Sequence, residues 1–375
     1  PQMDLDSLRR ILALIVKELL AILKDPRSRY TVFVPPTIQL LVFGYAATYD
    51  LSRVRYAACD QDRSAASRQF LASLEGSGTF LRVANLESAE EIQPWIDARK
   101  ALAVVQIPQD FERNLLAGHQ ADVQVIVDGR NSNTAGTALN YIGTITDSFN
   151  VAWNREHQGV EPPIRIESRA WYNPNLETRW FMIPGLLGML VLIQVIIITA
   201  MSVAREREQG TFDQLLVTPF RPFEIMIGKA LPGILVGMVQ ATFVVVVARF
   251  WFGIPFNGSL GTLYTGIFIF LLSAVGMGLM ISSLVTTMQQ ALLGAFVIVM
   301  PCSLLSGLGT PISNMPQAVQ YLTLINPLRY AISVTHRVFL AGAPFHLILP
   351  ELVPMGGIAL VTLSVAVWMF RHKLT

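Results

Sequence analysis

A chain of 375 residues that is 52% hydrophobic and 14% charged lies well below the ~25% charged residues of an ordinary soluble domain. The deficit is local. Residues 50–180 have soluble composition, whereas Phe250 to Leu328 contains no Asp, Glu, Lys or Arg, which excludes a soluble fold there and points to a membrane bundle with a globular insert. The net charge of +2 is spread beside apolar runs rather than on one patch, so it gives no sign of a nucleic-acid partner and none is expected, and two cysteines, Cys59 and Cys302, are too few for a disulfide framework or a zinc site.

Leu5–Lys24 reads as an amphipathic helix. Leu5, Leu8, Leu12, Ile15, Val16, Leu19, Ile22 and Leu23 recur at helical spacing, Arg10, Lys17 and Lys24 stand opposite, and Asp25-Pro26 stops it. Such a helix beside a span is expected in the membrane interface with its cations on lipid phosphates; packing on a soluble partner is the alternative. Lys17, Glu18 and Lys24 interrupt the stretch and no small-residue cleavage site follows, so no cleavable leader is expected. Tyr30–Tyr49 is the first charge-free span, and Pro35-Pro36 is predicted to start, kink or unwind it.

From Asp50 to about Arg179, short apolar runs alternate with amphipathic stretches. Strands are predicted at Val54–Ala58, Thr79–Ala84, Leu102–Ile107, Val123–Val127 and Ile164–Ala170. Helices are predicted from the Asp60–Ser64 turn to about Leu74, at Ser88–Ala98, Gln109–Ala117 and Thr134–Trp153. The alternation argues for an α/β domain on a sheet of about five strands. It carries no catalytic pattern.

Five more spans follow, at Phe181–Ala204, Ala230–Ala248, about Leu263–Leu284, about Ala291–Ser306 and Leu352–Phe370. The expected fold class is therefore a membrane all-α bundle of six transmembrane helices with an inserted extracytoplasmic α/β domain. Its divisions are 1–29 (cytoplasmic amphipathic helix), 30–49 (first span), 50–180 (α/β domain) and 181–375 (spans two to six, with a polar segment at 205–229 and an outer loop at 310–345). Lys and Arg concentrate before the first span (Arg9, Arg10, Lys17, Lys24, Arg27, Arg29), between spans two and three (Arg205, Arg207, Arg221, Lys229) and in the tail (Arg371, Lys373). The positive-inside rule then puts both termini in the cytoplasm and the α/β domain outside.

No nucleotide-binding loop is present: the nearest match, Gly228-Lys229-Ala230, has Phe223 where the first glycine belongs and Ala230 where the Mg²⁺ hydroxyl belongs. The five histidines are scattered, and no nucleophile elbow exists. The spans as drawn lack carboxylates and lysines, which argues against proton or sodium coupling. Gln194 and Gln240 remain inside them, either lining a substrate path or bonding across a helix interface, and Gly233-x-x-x-Gly237 permits close helix contact. The charged run Arg205-Glu206-Arg207-Glu208, followed by Gly210-Thr211, an amphipathic turn at 212–217 and Pro219, suits docking to a protein or simply fulfils the positive-inside rule.

Residues 205–232 closely resemble the cytoplasmic segment of ABC-2 type transporter permeases, in the multidrug-exporter-like subfamily with a large extracytoplasmic domain between the first two spans. Ser306-Gly307, Pro311, Met315-Pro316, Asn326-Pro327-Leu328, Tyr330, Arg337 and Gly342 are similar to the family's loop before the last span, and the strand leading to Asp60-Gln61-Asp62-Arg63-Ser64 to the start of its outer domain. The resemblance covers essentially the whole chain. It implies the permease subunit of an ATP-binding cassette exporter in the cell (inner) membrane, moving an amphiphilic drug-like or lipid-like compound outward. The chain itself would hold no cofactor, ATP and Mg²⁺ being bound by a separate ATPase subunit. Implied partners are that ATPase, a second permease copy (identical or a paralogue), membrane lipids and a periplasmic adaptor. By position, Leu5–Lys24 would be the connecting helix, and Glu206, Arg207, Glu208, Gly210, Thr211, Asp213, Leu215 and Pro219 the ATPase contact, with Asp213 standing where the family often has Glu. The loop at 310–345 would hold short helices closing the exit. The alternative from another class is a membrane receptor whose outer domain senses a ligand.

Overall fold

The computed structural model describes residues 5–24, 26–46, 53–130, 132–157, 172–173, 177–211 and 222–372. The chain forms two compact units, one of residues 49–169 and one of residues 1–48 with 170–375.

The smaller unit is built on four strands, β1 (Val54–Asp60), β2 (Phe80–Asn85), β3 (Ala103–Ile107) and β4 (Gln124–Val127), in the order β2-β1-β3-β4. β1 runs parallel to β2 and β3, and β4 is antiparallel to β3. The helices number continuously through the chain, those of this unit being α3 (Ala65–Gly76), α4 (Ile92–Asp97), α5 (Phe111–Leu116) and α6 (Ser132–His157). Period-two alternation sorts β1: Tyr56 and Ala58 join Phe70, Leu74, Phe111, Phe149 and Trp153 of α3, α5 and α6, whereas Ala57 and Cys59 join Ile92 and Trp95 of α4. The central strands β1 and β3 are buried on both faces, as their apolar sequence requires, while the edge strands β2 and β4 are largely half-buried or exposed. Ser64 caps α3 by accepting from Ser67 N at 3.0 Å. The fifth predicted strand, Ile164–Ala170, lies outside the described residues.

In the larger unit α1 (Leu5–Lys24) has the bounds its periodicity predicts, and α2 is Pro26–Ala46. Four helices among the described residues are long and apolar enough to cross a membrane. They belong to α7 (Thr178–Glu208), α8 (Pro222–Val246, continued by a wider π turn, Val247–Trp251), α9 (Leu260–Leu284) and α13 (Phe345–His372). The first and fifth expected spans are shorter apolar helices, Phe33–Tyr45 within α2 and α10 (Met288–Leu304). For α10 the cause is local: Thr287 caps its start and Gly307, at φ 88°, turns the chain soon after its end. Its 17 residues span about 25 Å, short of the ~30 Å hydrocarbon core. In α2, Pro35 and Pro36 lie inside the helix rather than starting it. Between α10 and α13 the expected loop holds a 3₁₀ turn (Ile312–Asn314), α11 (Gln317–Leu322), a second 3₁₀ turn (Thr323–Ile325), then α12 (Pro327–Phe339), an amphipathic helix packed on α7, α9 and α13.

The bundle closes through small residues. Gly233 and Gly237 of α8 face Thr199 of α7 and Leu271 of α9. At Gly276 of α9 a Cβ would fall 2.9 Å from the backbone nitrogen of Leu363 in α13, so only glycine lets those two backbones approach. Gly276→Ala should therefore lower the stability of the detergent-purified chain by ~1–3 kcal/mol through overpacking. Gly357→Ala, on α13 with nothing within 4 Å of the added carbon, should be neutral or stabilising. Thermal unfolding of the two variants checks both.

Candidate functional site

One end of the larger unit gathers the charges that the apolar helices exclude. The buried face of α1 carries Ser7, Ile11, Leu14 and Glu18, a helical stripe that packs on α8. Gly228 makes room, since a Cβ there would lie 2.8 Å from Leu14 Cβ. The next residue is Lys229, 2% exposed. Its Nζ lies 2.6 Å from Glu206 Oε2 and 3.0 Å from Glu18 Oε1. Glu206 Oε1 also accepts from Lys17 Nζ at 2.8 Å. Ser202 Oγ donates to Glu18 Oε2 at 3.0 Å and accepts from Lys229 at 3.3 Å. The result is an alternating chain of charge, Lys17, Glu206, Lys229 and Glu18, drawn from α1, α7 and α8. A second pair, Arg10 Nη2 to Glu224 Oε1 at 3.1 Å, joins α1 to the start of α8.

The last turn of α7 serves two more helices. Arg207 donates through Nη1 to the carbonyls of Val285, at 3.1 Å, and Ser283, at 3.4 Å, which are among the orphan acceptors where α9 ends. Glu208 Oε2 accepts from Met288 N at 2.8 Å, satisfying an orphan donor where α10 begins and placing negative charge at the positive end of its dipole. α7 itself stops in a Schellman-type cap: Gly210 sits at φ 67°, and Thr211 N reaches back to Glu206 O at 2.9 Å.

The structure thus brings Glu206, Arg207, Glu208, Gly210 and Thr211 into one turn, with each of the three charged side chains bonded within the chain. Asp213, Leu215 and Pro219 lie outside the described residues. Two of the cations on α1 meet carboxylates where lipid phosphates were expected: Arg10 meets Glu224 and Lys17 meets Glu206. The outward side of α1 instead carries an exposed apolar row, Leu12, Val16, Leu20 and Leu23. Sequence reasoning missed Glu18, Ser202, Glu224 and the role of Lys229. The available signal was that each ionisable group interrupts an apolar stretch, where burial demands a partner.

Gln194 and Gln240 are buried, at 4% and 5% exposure. Gln240 Nε2 donates to Leu190 O across the α7–α8 interface at 3.3 Å, one turn from Gln194. Gln194 Nε2 and Gln240 Oε1 have no hydrogen-bond partner among the described residues. The apolar helices are also not free of carboxylates. α13 starts before Leu352 and takes in Glu351, buried, with Oε1 2.9 Å from Arg337 Nη2 of α12 and 3.2 Å from Ser333 Oγ.

A bundle of apolar helices whose ends meet in a buried charge cluster around the residue 205–211 turn fits a membrane transport subunit, and the chain belongs to the ABC-2 family of transporter proteins. The family described as "ABC-2 family transporter protein" matches residues 30–368, and the chain is a permease subunit of an ABC transporter. It is 42% identical over 366 residues (97% of this chain, 99% of the relative) to the probable multidrug ABC transporter permease YbhR of Escherichia coli strain K12. It is 34% identical over 342 residues (90% of each) to the probable multidrug ABC transporter permease YbhS of the same strain. With the linearmycin resistance permease protein LnrN of Bacillus subtilis strain 168 it shares 21% identity over 359 residues (90% of this chain, 92% of the relative).

Lys229→Met should destabilise the purified permease by about 3–5 kcal/mol, because it removes the cation shared by two buried carboxylates and leaves them only Lys17 and Ser202. Adding Glu18→Gln and Glu206→Gln should restore part of that loss. Thermal unfolding of the single and triple variants reads the non-additivity, and losses that simply sum would show that the four charges do not act as a unit.

Proposed function

We propose that this permease is the membrane-spanning half of an ATP-driven exporter that moves an amphiphilic, drug-like or lipid-like compound outward. ATP and Mg²⁺ are bound by a separate ATPase subunit that docks on residues 205–222. The observation that carries this reading is the turn at 206–211, from which ion pairs and capping bonds run to α1, α8, α9 and α10. A push delivered there reaches five helices at once, which is what switching a bundle between two arrangements requires.

In this reading both termini and the charged end face the cytoplasm, the helices make six crossings, and residues 50–180 lie outside, where they meet an adaptor or gate release. Glu206, Arg207 and Glu208 then act as internal transmitters, while direct contact with the ATPase falls to the amphipathic turn with Asp213, Leu215 and Pro219. The lone Gly-Lys pair of the chain gives no phosphate site, since Lys229 points its ammonium at Glu18 and Glu206. A second permease copy is supported by the face of α10 that leaves Leu293, Phe296, Val297 and Leu304 more than 60% exposed. The relatives named as multidrug and linearmycin resistance permeases support an amphiphilic substrate.

Purification of the tagged chain in mild detergent with its neighbouring gene products should recover a stoichiometric ATPase, and cells expressing the complex should show ATP-dependent efflux of an amphiphilic dye. Asp213→Lys should reduce the recovered ATPase several-fold without lowering the Tm of the permease, whereas Glu206→Lys should lower both. Efflux driven by a proton gradient with no ATPase present would overturn the reading.

A further inference from the structure

At the end of the sheet where β1 and β3 begin and β4 finishes, the smaller unit has a cavity of about 290 Å³ lined by Arg53, Arg55, Arg99, Leu102 and Asp128. The arginines arrive from separate places. Arg53 precedes β1, Arg55 is its second residue, and Arg99 stands in the turn between α4 and β3. Arg55 Nη2 donates to the Arg99 carbonyl at 3.2 Å, which ties the two segments together at the cavity wall. The guanidinium groups of Arg53 and Arg99 donate no hydrogen bond to another described residue.

The one carboxylate in the lining is already paired. Arg130 holds Asp128 with two bonds, Nη2 to Oδ2 at 2.7 Å and Nε to Oδ1 at 2.8 Å. These bonds, with a weaker pull from Arg99, bring its carboxyl down to about 2, so it stays ionised and bound to Arg130 at neutral pH. Arg130 also bonds the carbonyls of Ile96 and Asp97, which fixes it beside α4. Among the described residues, the lining has three cationic side chains and no free counter-charge.

Backbone conformation adds a second, independent observation. Arg53 and Arg99 both sit in the left-handed region, at φ 67° and 54°, where a side chain is disfavoured and glycine is not. Arg99 occupies the position after the cap of α4, closed by Arg99 N to Ile96 O and Lys100 N to Trp95 O, each at 3.0 Å. That is the Schellman position glycine usually fills. At both positions an arginine stands where glycine would fold more easily, so the cationic side chains at this cavity come at a local conformational cost, as at Arg63 elsewhere in the unit.

We propose that this cavity binds a phosphoryl group, either free phosphate or the headgroup of an anionic phospholipid. A carboxylate is the weaker fit: Asp128 shows in this same unit that one guanidinium and one backbone N–H hold it, whereas three arginines in one lining suit the near-double charge of free phosphate, and a phosphodiester headgroup still offers them two anionic oxygens. The site stands apart from the transport reading and does not depend on it.

The same backbone supplies the test. Binding of inorganic phosphate, and separately of short-chain dihexanoyl phosphatidylglycerol, is measured on the full-length chain in neutral detergent at constant ionic strength, with chloride as the reference anion. Wild type should bind at least one probe saturably. The double variant Arg53→Gly, Arg99→Gly should weaken that binding at least tenfold while its Tm stays level or rises, because glycine relaxes both left-handed positions. Binding of phosphate identifies a free anion as the ligand, and binding of phosphatidylglycerol alone identifies a headgroup; either result supports the site. Binding of neither probe, or binding by the double variant equal to wild type, overturns it.

Discussion

A lysine with 2% exposure has to be met by opposite charge, and the arrangement around Lys229 follows from that requirement. Moving an isolated ion out of water costs several kcal/mol even after relaxation, and carboxylates at hydrogen-bond distance offset that cost. Glu18 and Glu206 supply them from positions far away in sequence. Each carboxylate would be as costly alone, and each is shared with a second donor, Ser202 or Lys17. The cluster therefore acts less as a source of net stability than as a register: α1, α7 and α8 can sit together in few ways that leave no charge unpaired.

The rest of the larger unit is consistent with that constraint. Within the apolar body, association relies on close packing of small residues rather than on a hydrophobic gain against lipid, as Gly233, Gly237 and Gly276 show. Packing of that kind has little direction of its own. The bonds at the charged end supply direction, with Arg207 and Glu208 fixing where α9 finishes and α10 starts. Glu351 and Arg337 repeat the solution between α12 and α13. Polar groups in this protein therefore sit where helices must hold a fixed relation.

Much of this was legible in the residues. The 3.6-residue period set α1 to the residue, the charge-free runs located the long helices, and the short apolar runs at Val54–Ala58, Thr79–Ala84, Leu102–Ile107 and Val123–Val127 fall on the four strands. What failed did so for identifiable reasons. Hydropathy drew α10 like the long helices because its Gly307 turn and Thr287 cap, which leave it 17 residues, are invisible to an average. Pro35-Pro36 read as a helix start, although the helix begins at Pro26 and runs through them. The run from Arg205 to Glu208 read as a surface because alternating charge on an exposed helix has the same letters as charge folded onto four neighbouring helices. Only tertiary placement distinguishes the two. Glu18 and Lys229 carried a usable hint, since a charge inside an apolar stretch needs a partner, but spacing alone does not say which one.

In the proposed cycle, α1 moves with the ends of α7 and α8 as one body because the buried charges allow no other pairing. Spin labels at Leu20→Cys on α1 and Leu235→Cys on α8, both on exposed positions, with Cys59→Ser and Cys302→Ser, report that relation by pulsed electron resonance in the complex with its ATPase. The account predicts a single distance that is the same without nucleotide and with a non-hydrolysable ATP analogue. A shift of about one helical turn, ~5 Å, or a second distance in either state, would show that α1 leaves the cluster during the cycle and would contradict it.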